Sequence, residues 1–140
     1  MPHWLKRRLT FLNKHSLAAA LLAALWSTYL DLYFVGKGLY AFPWRPFAEL
    51  FPINILFTLI VLPIFMMIFL YWAAQVNGWG KAGMILFISL LMTILEKFAE
   101  QLGLFNHSKE WQHLYTFIGY LLFLTVIMGF HSWLRRSADE

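Results

Sequence analysis

The chain has 140 residues, enough for one domain; 61% of them are hydrophobic and 13% are charged. A soluble domain carries about 25% charged residues, so most of this surface is expected to meet lipid, and an ordinary soluble domain is excluded. The net charge of +4 does not point to nucleic acid, because the basic residues sit at the ends of apolar runs, and the lack of cysteine excludes disulfides, thiolate metal sites and a cysteine nucleophile.

Residues 1–16 form a basic flank carrying Lys6, Arg7, Arg8 and Lys14. It resembles the start of a signal peptide, but the apolar run behind it continues through Trp26, Tyr29 and Tyr33, longer than a signal core of about 7–15 residues. A retained first span is therefore predicted over 17–35. Residues 3–12, HWLKRRLTFL, fit either an interfacial helix or a short flank that sets topology. Within the first span Ala19, Ala23, Ser27 and Asp31 recur every fourth residue and share one face. Small residues at that spacing let another helix approach closely, so this stripe is predicted to face protein. Gly36 and Gly38 are expected to end the helix, and Pro43 and Pro46 to stiffen the loop that follows.

The second span is predicted over 52–74, with Asn54 near its start and Pro63 interrupting it near mid-membrane, where it frees the carbonyl of Leu59. Residues 75–81, QVNGWGK, read as a tight turn. The third span, 82–102, ends in LEKFAEQLGLF, which puts Glu96 and Glu100 one helical turn apart near one interface. The fourth, 114–134, is preceded by His113. No strand and no internal repeat are expected. The fold expected is all-α: a single four-transmembrane-helix bundle, up-down-up-down.

Seven basic residues (Lys6, Arg7, Arg8, Lys14, Lys81, Arg135, Arg136) fall on the side of the termini and four (Lys37, Arg45, Lys97, Lys109) on the other. The excess predicts cytoplasmic N- and C-termini. Trp44, Tyr71, Trp72, Trp79, Trp111 and Trp133 fit interface belts.

On this topology Asp31, Asn54, Glu96, Glu100 and His113 reach a similar depth at the outer end. Intramembrane acids are costly and usually serve a purpose. These five residues are read as a polar pocket, for binding or as a structural lock, with Lys37, Arg45 and Lys97 as charge partners. The competing reading makes Asp31 an interfacial residue and Glu96 and Glu100 a solvated helix end. Glu110 and His113 have the Glu-x-x-His spacing of di-iron bundles, but such sites need two copies and further glutamates. No metal, cofactor or catalytic residue is therefore assigned, and His3, His15, His107 and His131 are read as interfacial.

The segments TYLDLYFVGKGLYAFPWRPF, the Leu62–Pro63 pair and LEKFAEQLGLF followed by Trp111 resemble an uncharacterised family of small four-span integral membrane proteins from spore-forming Gram-positive bacteria. The likeness runs from Thr28 to about Tyr120. It implies the four-span fold, plasma-membrane location and polar positions at Asp31 and Glu96, and it brings no activity.

The leading functional expectation is a non-enzymatic integral membrane protein that associates with membrane partners, either another membrane protein or further copies of itself, in the lipid bilayer. The alternative is a small oligomeric ion or solute transporter or channel using the outer acidic cluster. A third is an intramembrane lipid-modifying enzyme with Glu96 or Glu100 as acid or base.

Overall fold

The computed structural model describes residues 13–139, so the expectation for residues 3–12 lies outside it. Four helices run in chain order: α1, Lys14–Gly36; α2, a π-helical turn over Phe57–Val61 continuing into Leu62–Ala73; α3, Gly78–Gln101; and α4, His113–Asp139. Among the described residues α1, α3 and α4 are long and apolar enough to cross a membrane. The apolar stretch Phe57–Ala73 of α2 is shorter. At 1.5 Å per residue it covers about 25 Å, against a hydrocarbon core of about 30 Å.

Each boundary has a local cause. Asn13 caps α1, its Oδ1 accepting from Ser16 N at 2.8 Å, so the helix starts inside the basic flank. Asn77 does the same for α3, accepting from Gly80 N at 2.8 Å. Helix therefore begins at Gly78, within the stretch expected to be a turn. The start of α2, expected at residue 52, also moves. Asn54 caps this helix instead, accepting from Phe57 N at 3.2 Å. Pro63 has no N–H to continue the helical ladder, and a π-helical turn directly precedes it. Counted from Ile55, Pro63 stands near the middle of this helix, as expected, with the π-helical turn in the half before it.

The small-residue stripe turns inward. Ala19 and Ala23 are fully buried and join the core built with Leu62, Met66, Leu124 and Ile127. Leu17, Leu21 and Leu25, on the opposite face of α1, are at least half exposed. At the end holding the termini of α1 and α4, buried Ser16 Oγ lies 3.2 Å from His131 Nε2. His131 is thus a buried inter-helix contact and not the interfacial residue expected.

At the other end the two loops meet. Tyr40–Ala41 (β1) and Asn106–His107 (β2) form a short antiparallel ladder, Tyr40 opposite His107 and Ala41 opposite Asn106. Above it Tyr40, Phe105 and Trp111 form a buried aromatic cluster with Phe34 and Phe42 at its edge. Trp111 is therefore part of this cap and not of an interface belt. Trp44, Trp72, Trp79 and Trp133 are exposed.

Candidate functional site

The ends of α1 and α3 are built alike. In α1 Gly38 takes φ +75° and Gly38 N and Leu39 N bond back to Val35 O and Phe34 O. In α3 Gly103 takes φ +79° and Gly103 N and Leu104 N bond back to Glu100 O and Ala99 O. Both are Schellman endings, which need a residue in the left-handed region. Each is followed by leucine and an aromatic residue, Leu39–Tyr40 and Leu104–Phe105, whose rings approach to 5.2 Å. An acid stands seven residues before each glycine: Asp31 before Gly38 and Glu96 before Gly103. Seven residues of helix are about 10 Å. Two matching helix ends tied by one β ladder therefore carry their carboxylates to matching depth.

Between them lies a cavity of about 590 Å³. Asp31, Asn54 and Glu96 all line it. Its walls are mostly apolar, with Leu30, Phe34, Phe57, Leu95, Phe105 and Phe123 among them. Glu110 adds a third carboxylate, and no lysine or arginine lines it among the described residues. Gly119 of α4 faces it with open space where a Cβ would stand.

Asp31 and Glu96 each have their own partner. Tyr40 donates its hydroxyl to Asp31 Oδ1 at 2.5 Å. Burial pushes the Tyr40 phenol well above the usual tyrosine range, and the charge of Asp31 pushes it the same way, so the hydroxyl remains a donor. Thr116 donates to Glu96 at 2.6 Å, and His113 Nδ1 lies 2.7 Å from Glu96 Oε2.

None of the three basic residues offered as partners for Asp31 lines the cavity. Arg45 donates to the carbonyls of Phe42, Ala48 and Phe51 and so staples its own loop. The Lys37 ammonium stands 4.8 Å over the Tyr33 ring. Lys97 lines a separate, shallower depression together with Glu100, Gln101 and His113.

That depression separates Glu100 and His113 from the cavity that holds Asp31, Asn54 and Glu96. Here Glu100 Oε2 lies 2.7 Å from His107 Nδ1 and 3.7 Å from His113 Nε2. His107, read from sequence as interfacial, is thus part of the polar group. The Glu-x-x-His spacing did not lead to it: Glu110 lines the cavity instead. Tyr40 was also missed, and the shared Gly-Leu-aromatic ending seven residues after an acid was the available sign of both. Comparison with protein-family models, with curated proteins and with solved structures finds no match for this chain.

Proposed function

We propose that the protein is a non-enzymatic integral membrane protein that acts by binding, and that the cavity between α1 and α3 holds an amphiphile with a positively charged group. It sets a small amphiphile in place of the membrane-protein or homo-oligomer partner expected from sequence. One observation carries it: an apolar cavity of about 590 Å³ lined by Asp31, Glu96 and Glu110 with no basic residue among the described lining. The volume falls within the usual range of small-molecule sites, about 300–1,000 Å³. Carboxylates set in apolar walls favour a cationic group whose body covers the rest of the wall.

The reading includes four membrane helices, α2 the shortest, in a plasma membrane with both termini cytoplasmic. It also takes the chain as a member of the four-span family that its Asp31 and Glu96 segments resemble. Topology follows from the seven-to-four distribution of basic residues. Reporter fusions after Leu134 and within residues 37–46 are expected on opposite sides of the membrane; the same side for both contradicts it.

A second reading, a small oligomeric transporter, draws support from the π-helical start of α2. Phe57 and Leu62, at the two ends of that break, both line the cavity, and broken helices are common where transporters bind their substrates.

The binding test uses one chain length with three headgroups. Dodecylamine, dodecanol and dodecanoate are offered to the detergent-solubilised protein and bound ligand is counted by native mass spectrometry. Preferential retention of the amine is expected. Asp31→Asn with Glu96→Gln should abolish the preference, and Gly119→Leu, which fills the cavity without touching a carboxylate, should abolish retention. Equal retention of all three ligands, or amine binding unchanged by Gly119→Leu, contradicts the reading. Amine flux into vesicles would move the account to the transport reading.

A further inference from the structure

We propose that Glu100, His107 and His113 form a binding site for a divalent transition-metal ion of the zinc class, with Glu96 as the outer carboxylate that orients His113. Glu100 and His113 line the shallow depression at the paired-loop end, His107 stands against Glu100, and only the outer carboxylate Glu96 is shared with the cavity described above. One potential ligand atom from each of the three side chains falls within 4.8 Å of the others.

Tetrahedral zinc with ligands at about 2.0–2.1 Å sets neighbouring ligand atoms roughly 3.3 Å apart. Glu100 Oε2 stands 2.7 Å from His107 Nδ1 and 3.7 Å from His113 Nε2. The two Glu100 edges therefore close on a metal with shifts of about half an ångström, one opening and the other tightening, while the His107–His113 edge, within 4.8 Å, draws in and His107 Nδ1 gives up the proton it donates to Glu100. Side-chain rotation alone covers that range, since all three side chains are partly exposed, at 22–36%.

The surroundings of His113 are what a metal ligand needs. Its Nδ1 is directed at Glu96 Oε2, at 2.7 Å. A carboxylate only accepts, so Nδ1 carries the proton and, in the neutral ring, Nε2 presents its lone pair toward Glu100 and His107. Glu96 is itself fixed by the Thr116 hydroxyl at 2.6 Å. A ligating histidine whose other nitrogen is held by a carboxylate is the recurrent arrangement of zinc sites, and that carboxylate sets ring orientation and basicity. By contrast, His113 Nε2 at 3.7 Å from Glu100 is too far for a hydrogen bond, so the present contacts leave this nitrogen aimed at an oxygen it does not reach.

Three different elements bring the ligands together at this end. Glu100 belongs to the last turn of α3, His107 to β2 opposite Tyr40, and His113 to the first turn of α4. Imidazole and carboxylate together suit zinc and its transition-metal neighbours, whereas calcium and magnesium prefer all-oxygen shells. Three protein ligands leave a fourth position open on the solvent side, where Lys97 lines the same depression and would face an anion bound to the metal.

The test uses the full chain, without a polyhistidine tag, in nanodiscs after chelator treatment. Zn²⁺ and Co²⁺ are added and bound metal is measured by equilibrium dialysis and elemental analysis. One ion per chain is expected, and Co²⁺ should give the intense visible bands of a four-coordinate site. His107→Ala and His113→Ala should each abolish stoichiometric binding, while His15→Ala should leave it unchanged. Glu96→Gln should weaken binding about 10–100-fold, the usual effect of losing an outer-shell partner. Should the alanine variants fail to fold, X-ray absorption on the zinc-loaded wild-type protein decides: two imidazole ligands and oxygen support the site, and a shell without histidine overturns it. Less than one ion per chain at millimolar metal, or binding retained by the folded His107→Ala, His113→Ala double variant, also overturns it.

Discussion

Replacing Tyr40 with Phe removes one hydroxyl and leaves the ring in place among Phe34, Phe42, Phe105 and Trp111. Packing is thus retained, and the change isolates the bond to Asp31 Oδ1 at 2.5 Å. Hydrogen bonds to charged groups contribute about 1.5–3 kcal/mol in soluble proteins, and membrane-protein cycles reach about 1.7 kcal/mol at most. Tyr40 is 8% exposed and Asp31 lies in the largely apolar cavity, so we expect a loss of about 1.5 kcal/mol, near the top of the membrane range. Asp31→Asn keeps an oxygen that the phenol can reach and should cost less, below about 1 kcal/mol. In the Tyr40→Phe background the same Asp31→Asn change should cost almost nothing further, because the acceptor has already lost its donor. Unfolding by sodium dodecyl sulfate titration in mixed micelles, followed by circular dichroism for the four chains, gives the coupling energy directly. A Tyr40→Phe protein within about 0.3 kcal/mol of wild type, or two losses that simply add, would refute the claim that Tyr40 holds Asp31.

Three further outcomes follow from the same contacts. Ala23→Leu should destabilise by about 1–3 kcal/mol, since Ala23 is fully buried at the helix seam, whereas Leu21→Ala on the exposed face should stay within about 0.5 kcal/mol; the same titration measures both. Gly38→Ala and Gly103→Ala should each cost about 1 kcal/mol, because both glycines hold positive φ, while Gly36→Ala, with open space at its Cβ and no positive φ, should be neutral. The Tyr40 phenol is raised on folding, so its contribution is complete below the unfolded value of about 10 and is lost as pH rises beyond it; unfolding measured from pH 8 to 11 should therefore be less steep in pH for Tyr40→Phe than for wild type.

Three helices long and apolar enough to span, and the place of Asp31 and Glu96 near one end of theirs, were legible because both follow from local pattern. Helix length and apolar runs put Asp31 and Glu96 near one end, and the four-residue spacing of Ala19 and Ala23 identified the face that packs. What was not legible depends on contacts distant in sequence. Asp31 has basic residues nearby in the chain, yet Lys37 and Arg45 are drawn to Tyr33 and to loop carbonyls, and the partner that reaches it is Tyr40. Tyr40 does so because its strand pairs with residues 106–107, which no local periodicity announces. His107 was passed over for the same reason: it lies in a loop, out of phase with any helix face. Asn54 was assigned to the pocket and does line the cavity, but its role as the cap of α2 moves the start of that helix about three residues along the chain. The repeated ending, an acid followed seven residues later by Gly-Leu-aromatic, was visible in the sequence and is the one sign that links the two loops.

Asp31 and Glu96 share one cavity because the two acid-bearing helices end side by side. The chain has no cysteine, which makes a single engineered pair decisive. Ala41 and Asn106 are partners in the antiparallel ladder, and opposite residues there have Cβ atoms about 4.5–5.5 Å apart, close enough for a disulfide after small adjustment. Ala41→Cys with Asn106→Cys, oxidised in native membranes, should form an intramolecular disulfide in nearly every chain, while Ala48→Cys with Asn106→Cys should form none. Failure of the 41–106 pair to cross-link, or bonds formed only between different chains, would separate the two helix ends and remove the shared cavity with them.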